Sequence, residues 1–442
     1  MASDLLSIAA SGARAARGAL DVTAQNIANA SSDGYVRRSV RMEEVSAAGG
    51  QLRIGDISLS GARIAGIYRN ADMFRQAEVR RTNADLARAT TELGGLENIE
   101  SAVEQAGVYD AIVEFEGALQ QLTANPTDTS LRAAVMAGAD MLARKFNIAA
   151  DSLDAVGEGL RFEASAAVEE ANVISGELAR VNLRLARAGE GSSDRASLLD
   201  QRDNLLERLS GIVDISTSFG ADGAVAVSTG GQPLVTGGVA APLSMATGAD
   251  GTVTFAVGGT AVSPAGGALA GAALALTEAA SVRLRLDDLA DGIAATVNAA
   301  QAAGVALDGS PGAAIFAGAG ASGITVITTD PGALATAPAG DPAGSRDASN
   351  LAAMRTALDT SGAARDMNIL LFDVSSRVAG RTVTREALDA IATSARISLE
   401  QQAGVDLDTE AANLMRFQQA FQASGRAMQV ASDIFQTLMG IG

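Results

Sequence analysis

Gly318-Ala319-Gly320-Ala321-Ser322-Gly323 has the GxGxxG spacing with which a glycine-rich turn cradles a dinucleotide pyrophosphate. That chemistry needs a strand before the turn and a helix after it. Here Ile324-Thr325-Val326-Ile327 predicts a strand after it, so nucleotide binding is not expected. Asp406, Asp408 and Glu410 alternate like oxygen ligands of a cation, but Ala411 stands where an EF-hand loop requires glycine. Helix capping accounts for these carboxylates better. Arg37-Arg38 with Arg41 is a short basic run beside Glu43-Glu44, which reads as a local ion-pair surface. No carboxylate pair sits in a recognisable glycosidase setting. The chain has no Cys and no His. Disulfides, thiolate metal sites, Cys nucleophiles and His-based triads are therefore excluded.

The residues that remain informative are those that build elements. The chain has 442 residues, enough for two to four domains, and 48% are apolar, which excludes disorder by composition. Aromatics are only 3%, so the core is built from Ala, Leu, Val and Ile. Small side chains suit close helix packing better than deep ligand pockets. The net charge of −18 argues against nucleic acid and anionic membranes as partners. Lys145 is the only lysine; every other basic residue is Arg. No continuous apolar run reaches the roughly 18 residues of a membrane span. The opening Met1-Ala2-Ser3-Asp4 does not read as a secretory signal.

Apolar periodicity predicts a helix over 4–29, capped by Ser3 or Asp4 and broken by Ser31-Ser32-Asp33-Gly34. Residues 36–70, with Gly49-Gly50, predict short strands or an extended connector. Helices are expected over 71–105, 108–123, 129–155, 160–188 and 195–210, with a turn at Asn125-Pro126. From 211 to 265 the texture becomes Gly-, Thr- and Val-rich, with alternation over 252–257, and predicts a small β domain. A helix returns over 268–303, residues 304–366 read as loop-rich, and a helix follows over 366–402.

The last helix is the clearest. Asp408 is the expected N-cap. Leu414, Phe417, Phe421, Ser424, Met428, Ala431, Phe435 and Leu438 are spaced 3, 4, 3, 4, 3, 4 and 3, a sustained heptad. Such a stripe is stable only with a partner. The small stripe Gly12, Ala15, Ala16 and Ala19 of the first helix is the expected seat for Phe417, Phe421 and Phe435. The fold class is thus mainly α with a β insert, nested: terminal helices forming a coiled coil, a helical middle and a small outer β domain. The expected divisions are 1–35 with 401–442, 36–210 with 266–400, and 211–265.

Residues 24–37, Ala24-Gln25-Asn26-Ile27-Ala28-Asn29 through Gly34-Tyr35-Val36-Arg37, resemble the ANNIAN–GY signature of flagellar rod, hook and hook-associated proteins. Further blocks resemble the hook-associated protein 1 family. They are Asn125-Pro126-Thr127-Asp128 with Arg132 and Phe146-Asn147; Asp200-Gln201-Arg202-Asp203; Gly231-Gln232-Pro233-Leu234-Val235; Leu286–Val297 with Asn298, Asp308-Gly309 and Phe316; and 406–424. The resemblance covers nearly the whole chain in the family's order. Gln25 and Asp33 depart from the signature. The β insert is short, so a second outer domain of longer relatives is expected to be missing.

The resemblance implies a structural subunit of the hook–filament junction without catalysis, cofactor or metal. It implies type III export, an extracellular place in the flagellum and self-assembly as a ring or tube. Partners so implied are the hook protein, a second hook–filament junction protein and an export chaperone on the C-terminal helix; nucleic acid and membrane insertion are not expected. The assembly residues expected are Leu5, Ile8, Asn26, Ile27, Asn29, Gly34 and Tyr35, with Leu414, Phe417, Phe421, Met428, Phe435 and Leu438. The competing readings are a hook or rod axial protein and, in another class, a secreted surface enzyme fused to an axial module.

Overall fold

The computed structural model describes residues 2–32, 34–46 and 59–439. Asp33 and Gly49-Gly50 lie outside the described residues, and so does the side chain of Leu438.

Helix α1 (Ala2–Ala28) begins ahead of Ser3 and Asp4, whose side chains lie outside the described residues. The chain then forms a two-stranded antiparallel ribbon, β1 (Arg38–Ser46) and β2 (Leu59–Arg69). The ribbon lies along α1: the Ala62 amide donates to Ser11 Oγ at 3.1 Å. Gly61 permits this approach, because a Cβ there would stand 2.0 Å from Ser11 Oγ and its φ is +87°.

Helices α2 (Met73–Ala106), α3 (Val108–Ala124), α4 (Thr129–Leu185) and α5 (Ser193–Ile212) follow. Asp72 caps α2, Asp128 caps α4 and Ser192 caps α5, each accepting from free amides of the first turn. Gly107, at φ +69°, turns α2 into α3. The break expected near 156–159 does not occur. Helix α4 runs 57 residues, about 85 Å, because it is buried on both sides of that point. Leu153 belongs to one apolar core and Leu160 to a second, so tertiary packing outweighs the helix-weakening Gly157 and Gly159.

The β insert has two antiparallel sheets. One is β3 (Ser216–Phe219), β4 (Val225–Thr229), β5 (Gln232–Thr236) and β6 (Val239–Ala240); the other is β7 (Leu243–Thr247), β8 (Val253–Val257) and β9 (Thr260–Val262). Val225, Val227, Leu234 and Phe255 bury against the distal half of α4, which joins the insert to the second core.

Helix α6 (Gly267–Ala302) returns through both cores. Among the described residues it is the one helix long and apolar enough to cross a membrane, with half of that window buried inside the protein. The stretch after it holds the pairs β10 (Gly304–Val305) with β13 (Ala337–Pro338) and β11 (Phe316–Ala317) with β12 (Thr325–Val326), around the single turn α7 (Gly320–Gly323). It also holds α8 (Ser349–Ser361), where the sequence predicted loop. Only Leu351, Met354 and Leu358 are its buried apolar residues, too short a pattern to read as a helix alone. Arg132 pins this stretch to α4. It is fully buried and donates to the carbonyls of Pro126 and Leu334 and to Thr336 Oγ1 at 2.6–2.7 Å.

Helix α9 (Ala363–Ala403) packs along α2, and α10 (Leu407–Met439) folds back along α1. Asp406, not Asp408, caps α10: its Oδ1 accepts from the Thr409 amide at 2.9 Å. Those bonds hold the Asp406 carboxyl below the usual range.

Candidate assembly interface

Helices α1 and α10 form an antiparallel pair whose base is polar and whose far end is apolar. At the base, Asn26 is fully buried and spends its whole hydrogen-bonding capacity inside the chain. Its Nδ2 donates to the Arg38 carbonyl at 2.9 Å and to Glu410 Oε2 at 3.1 Å. Its Oδ1 accepts from the Arg38 amide at 3.0 Å and the Tyr35 hydroxyl at 2.9 Å. Glu410, also buried, accepts from Arg37 Nε at 2.7 Å. Gly34, at φ +71°, turns the chain so that Tyr35 points back at Asn26. Burial, foremost, raises the Tyr35 hydroxyl above its ordinary pKa against the pull of Arg38.

From this knot an ion-pair chain reaches the body. Arg38 meets Asp200 at 3.0 Å, Arg69 bridges Asp200 and Asp203 at 2.7 and 2.8 Å, and Arg202 grips Asp203 at 2.6 Å. Gln76 of α2 also donates to Asp203, and Arg202 Nη1 donates to the Gly223 carbonyl in the β insert. Burial raises the Asp200 carboxyl despite Arg69 and Arg38 beside it. Burial pushes Asp203 up too, but Arg202 and Arg69 together hold it below the usual range. Such buried pairs fix geometry more than they add stability, since desolvation offsets attraction. The joint sets how the terminal pair stands on the body.

Toward the other end the two helices open. Leu5, Ile8, Ala9 and Gly12 face Val430 and Ile434 across a groove of about 800 Å³, with Gly61 and Ala62 of the ribbon at its side. Leu414, Phe417 and Met428 are half-buried, and Ala431 is buried. Phe421 and Phe435 are 43% and 52% exposed, so the small stripe of α1 does not seat them. Ser424 of α10 stands on Gly12 instead, and the ribbon packs on the adjacent face of α1, where a Cβ at Gly18 would stand 2.2 Å from Ile64. Leu5 is exposed, Ile8, Ile27 and Asn29 are half-buried, and Asn29 Nδ2 bonds the Gln25 carbonyl within the helix end. Arg69 is the joint residue that sequence reasoning passed over, while Arg37 and Arg38 were read as an ion-pair surface beside Glu43-Glu44 and instead meet Glu410 and Asp200. Asp200 and Asp203 stood within a quoted motif, and Glu410 was read as a helix-capping carboxylate.

The GxGxxG segment makes α7, whose first amides are taken by carboxylates: Gly320 N donates to Asp291 and Ala321 N to Asp287, each at 2.7 Å. No group of three or more His, Cys, Asp or Glu placed to hold a metal occurs among the described residues.

The family model for the flagellar hook-associated protein FlgK helical domain matches residues 93–316, about half of the chain. The chain belongs to the FlgK family. Two further models match its ends: the flagella basal body rod protein model at 6–35 and the flagellar basal body rod FlgEFG protein C-terminal model at 400–441. Flagellar hook-associated protein 1 of Bacillus subtilis is 27% identical over 49% of this chain and 44% of its own length. That of Escherichia coli is 25% identical over 55% and 45%. The matches thus span under half the length of these relatives. The flagellar hook junction protein FlgK of Burkholderia pseudomallei shares the fold, with TM-score 0.54, 20% identity and coverage of 59% of this chain and 66% of that one. Within the FlgK family the quoted blocks have a plain physical reading here: Asp128 and Arg132 fix the start of α4, Asp200–Asp203 make the joint, and Asn298 holds Ile315 and Phe316.

Proposed function

We propose that this chain is a structural subunit of the bacterial flagellum that forms the hook–filament junction and carries out no catalysis. The observation that carries the reading is the α1–α10 pair: fixed at its base by a buried joint and open at its far end along an apolar groove. Phe421, Val430, Ile434 and Phe435, about half exposed, each have burial to gain from a neighbour, about half of the 1.5–3 kcal/mol of full burial. The match to the FlgK helical domain favours a junction subunit over a hook or rod protein.

On this reading the terminal unit is 1–35 with 401–442, the helical middle 36–210 with 266–400 and the outer β part 211–265, with ribbon β1–β2 resting on the terminal unit. Leu5, Ile8, Leu414, Phe417, Phe421, Met428, Phe435 and Leu438 make the contacts between copies, while Asn26, Ile27, Asn29, Gly34 and Tyr35 shape the joint behind them. The chain leaves the cell unfolded through the flagellar type III apparatus, with a chaperone masking α10, and stands outside the cell between the hook protein and a second junction protein. Helices that are marginal alone suit this route, because they fold when neighbours supply the missing face. Deleting 405–442 should abolish attachment of filaments to hooks while the remaining chain keeps a cooperative melt; filaments that still attach would sink the proposal.

A further inference from the structure

Arg80 of α2 differs from the other buried arginines among the described residues. Arg38 and Arg202 pair with Asp200 and Asp203, and Arg132 donates to carbonyls and to Thr336. Arg80 is 6% exposed and, among the described residues, forms no ion pair. Its one hydrogen bond in the chain is long, from Nη2 to Thr217 Oγ1 at 3.4 Å. A guanidinium has five N–H donors, so most of its capacity is unspent. Leaving a buried charge in that state is costly, and burial, foremost, pushes Arg80 below its ordinary pKa.

Its acidic neighbours do not meet the need. Asp203 favours the charge on Arg80, but both of its oxygens are taken: Oδ1 by Arg202, and Oδ2 by Arg69 and Gln76. Glu207 favours that charge too, without an ion pair.

Arg80 lines a cavity of about 320 Å³. Its walls come from three helices and from the chain on either side of the terminal pair: Val79 of α2, Asn204 of α5 and Leu399 of α9, with Val36 and Val405. Arg396 lines it as well, but is paired with Glu400 at 3.5 Å. That volume lies at the small end of ligand pockets. Apolar walls with one unspent guanidinium suit a small organic acid. The guanidinium fork matches the two oxygens of a carboxylate. Glu207 and Glu400 at the wall repel a second negative charge, which sets a monocarboxylate above phosphate or sulfate.

We infer that this cavity binds a small organic monocarboxylate, with Arg80 holding the carboxylate. The occupant touches the loop behind α1 and the helices α2, α5 and α9 together, so its binding ties that loop to the body.

Equilibrium dialysis of the full chain against radiolabelled propionate, at fixed ionic strength in chloride, tests the site. Propionate at millimolar concentration should bind saturably, one per chain, and phosphate and sulfate should compete about tenfold less well or worse. Amide exchange over 30–36 should slow on binding. Arg80→Leu should abolish binding and leave the free chain's melting temperature equal or higher, because it removes a buried charge that has no partner. Arg80→Lys keeps the charge without the fork and should bind about tenfold more weakly, a comparison that stands even if the leucine variant does not fold. No saturable binding of propionate, or binding that Arg80→Leu or Arg80→Lys leaves unchanged, overturns the site. A melting temperature that falls equally with Arg80→Leu and Glu207→Gln means that Glu207 satisfies Arg80 inside the chain, and overturns it too. Phosphate or sulfate binding as tightly as propionate overturns the choice of a monocarboxylate.

Discussion

The helical body and the terminal pair are built from similar residues to opposite ends. In the body, Ile99, Phe115, Leu142 and Phe146 are fully buried, and Phe115 meets Phe316 edge to face at 6.2 Å between ring centres. In the terminal pair, Phe421, Ile434 and Phe435 lie open, and the interior of the pair is small or polar: Ala15, Ala16, Ala19, Asn26 and Glu410. The body's apolar surface is consumed within the chain. The pair's apolar surface at its far end is left over. A finished core and an unfinished one thus sit in a single polypeptide, divided at the Arg–Asp joint.

The comparison breaks most directly by exchanging the same substitution between the two regions. Phe146→Ala should cost about 3–5 kcal/mol and lower the main melting transition. Next in size, Glu410→Gln should weaken the buried contact with Arg37 by about 1–3 kcal/mol. Its effect should be confined to α1 and α10, read as faster amide exchange there with the body's melt unchanged. An equal loss throughout the chain would mean that the two regions fold as one unit.

A smaller effect follows from the joint's carboxylates. Asp203 has its folded pKa below the unfolded value, so it contributes stability that is present above the unfolded value and lost as pH falls through the folded one. Asp200 is raised by burial, so its charge costs stability above its folded value and that cost is relieved on acidification. Denaturant titrations from neutral to acid pH should show a flatter acid limb for Asp203→Asn and no flattening for Asp200→Asn. The smallest effect is expected for Phe435→Ala: within about 0.5 kcal/mol in the monomer, because the ring is half in water, but a clear loss of self-association. A large monomer loss there would place Phe435 in a finished core.

Much of this division was legible in the sequence. The heptad from Leu414, the change of texture after 211 and the return of helical periodicity at 268 mark elements that formed where expected. What was not legible came from tertiary packing. Separate helices were expected over 129–155 and 160–188, yet two cores hold α4 continuous across the gap between them. The polar joint joins residues up to 384 positions apart, so no local spacing announces that Asn26 meets Glu410. The seating of Phe421 and Phe435 on α1 was expected from size complementarity alone. Ser424 meets Gly12 there instead, and periodicity within one helix does not say which residues of its stripe face the partner.

Hydrogen exchange on the purified monomer and on assembled material tests the central claim most directly. The account predicts that amides of α1 and α10 exchange far faster in the monomer than those of α4, and that assembly slows them toward the body's level. Protection of α1 and α10 in the monomer equal to that of α4, unchanged on assembly, would contradict it.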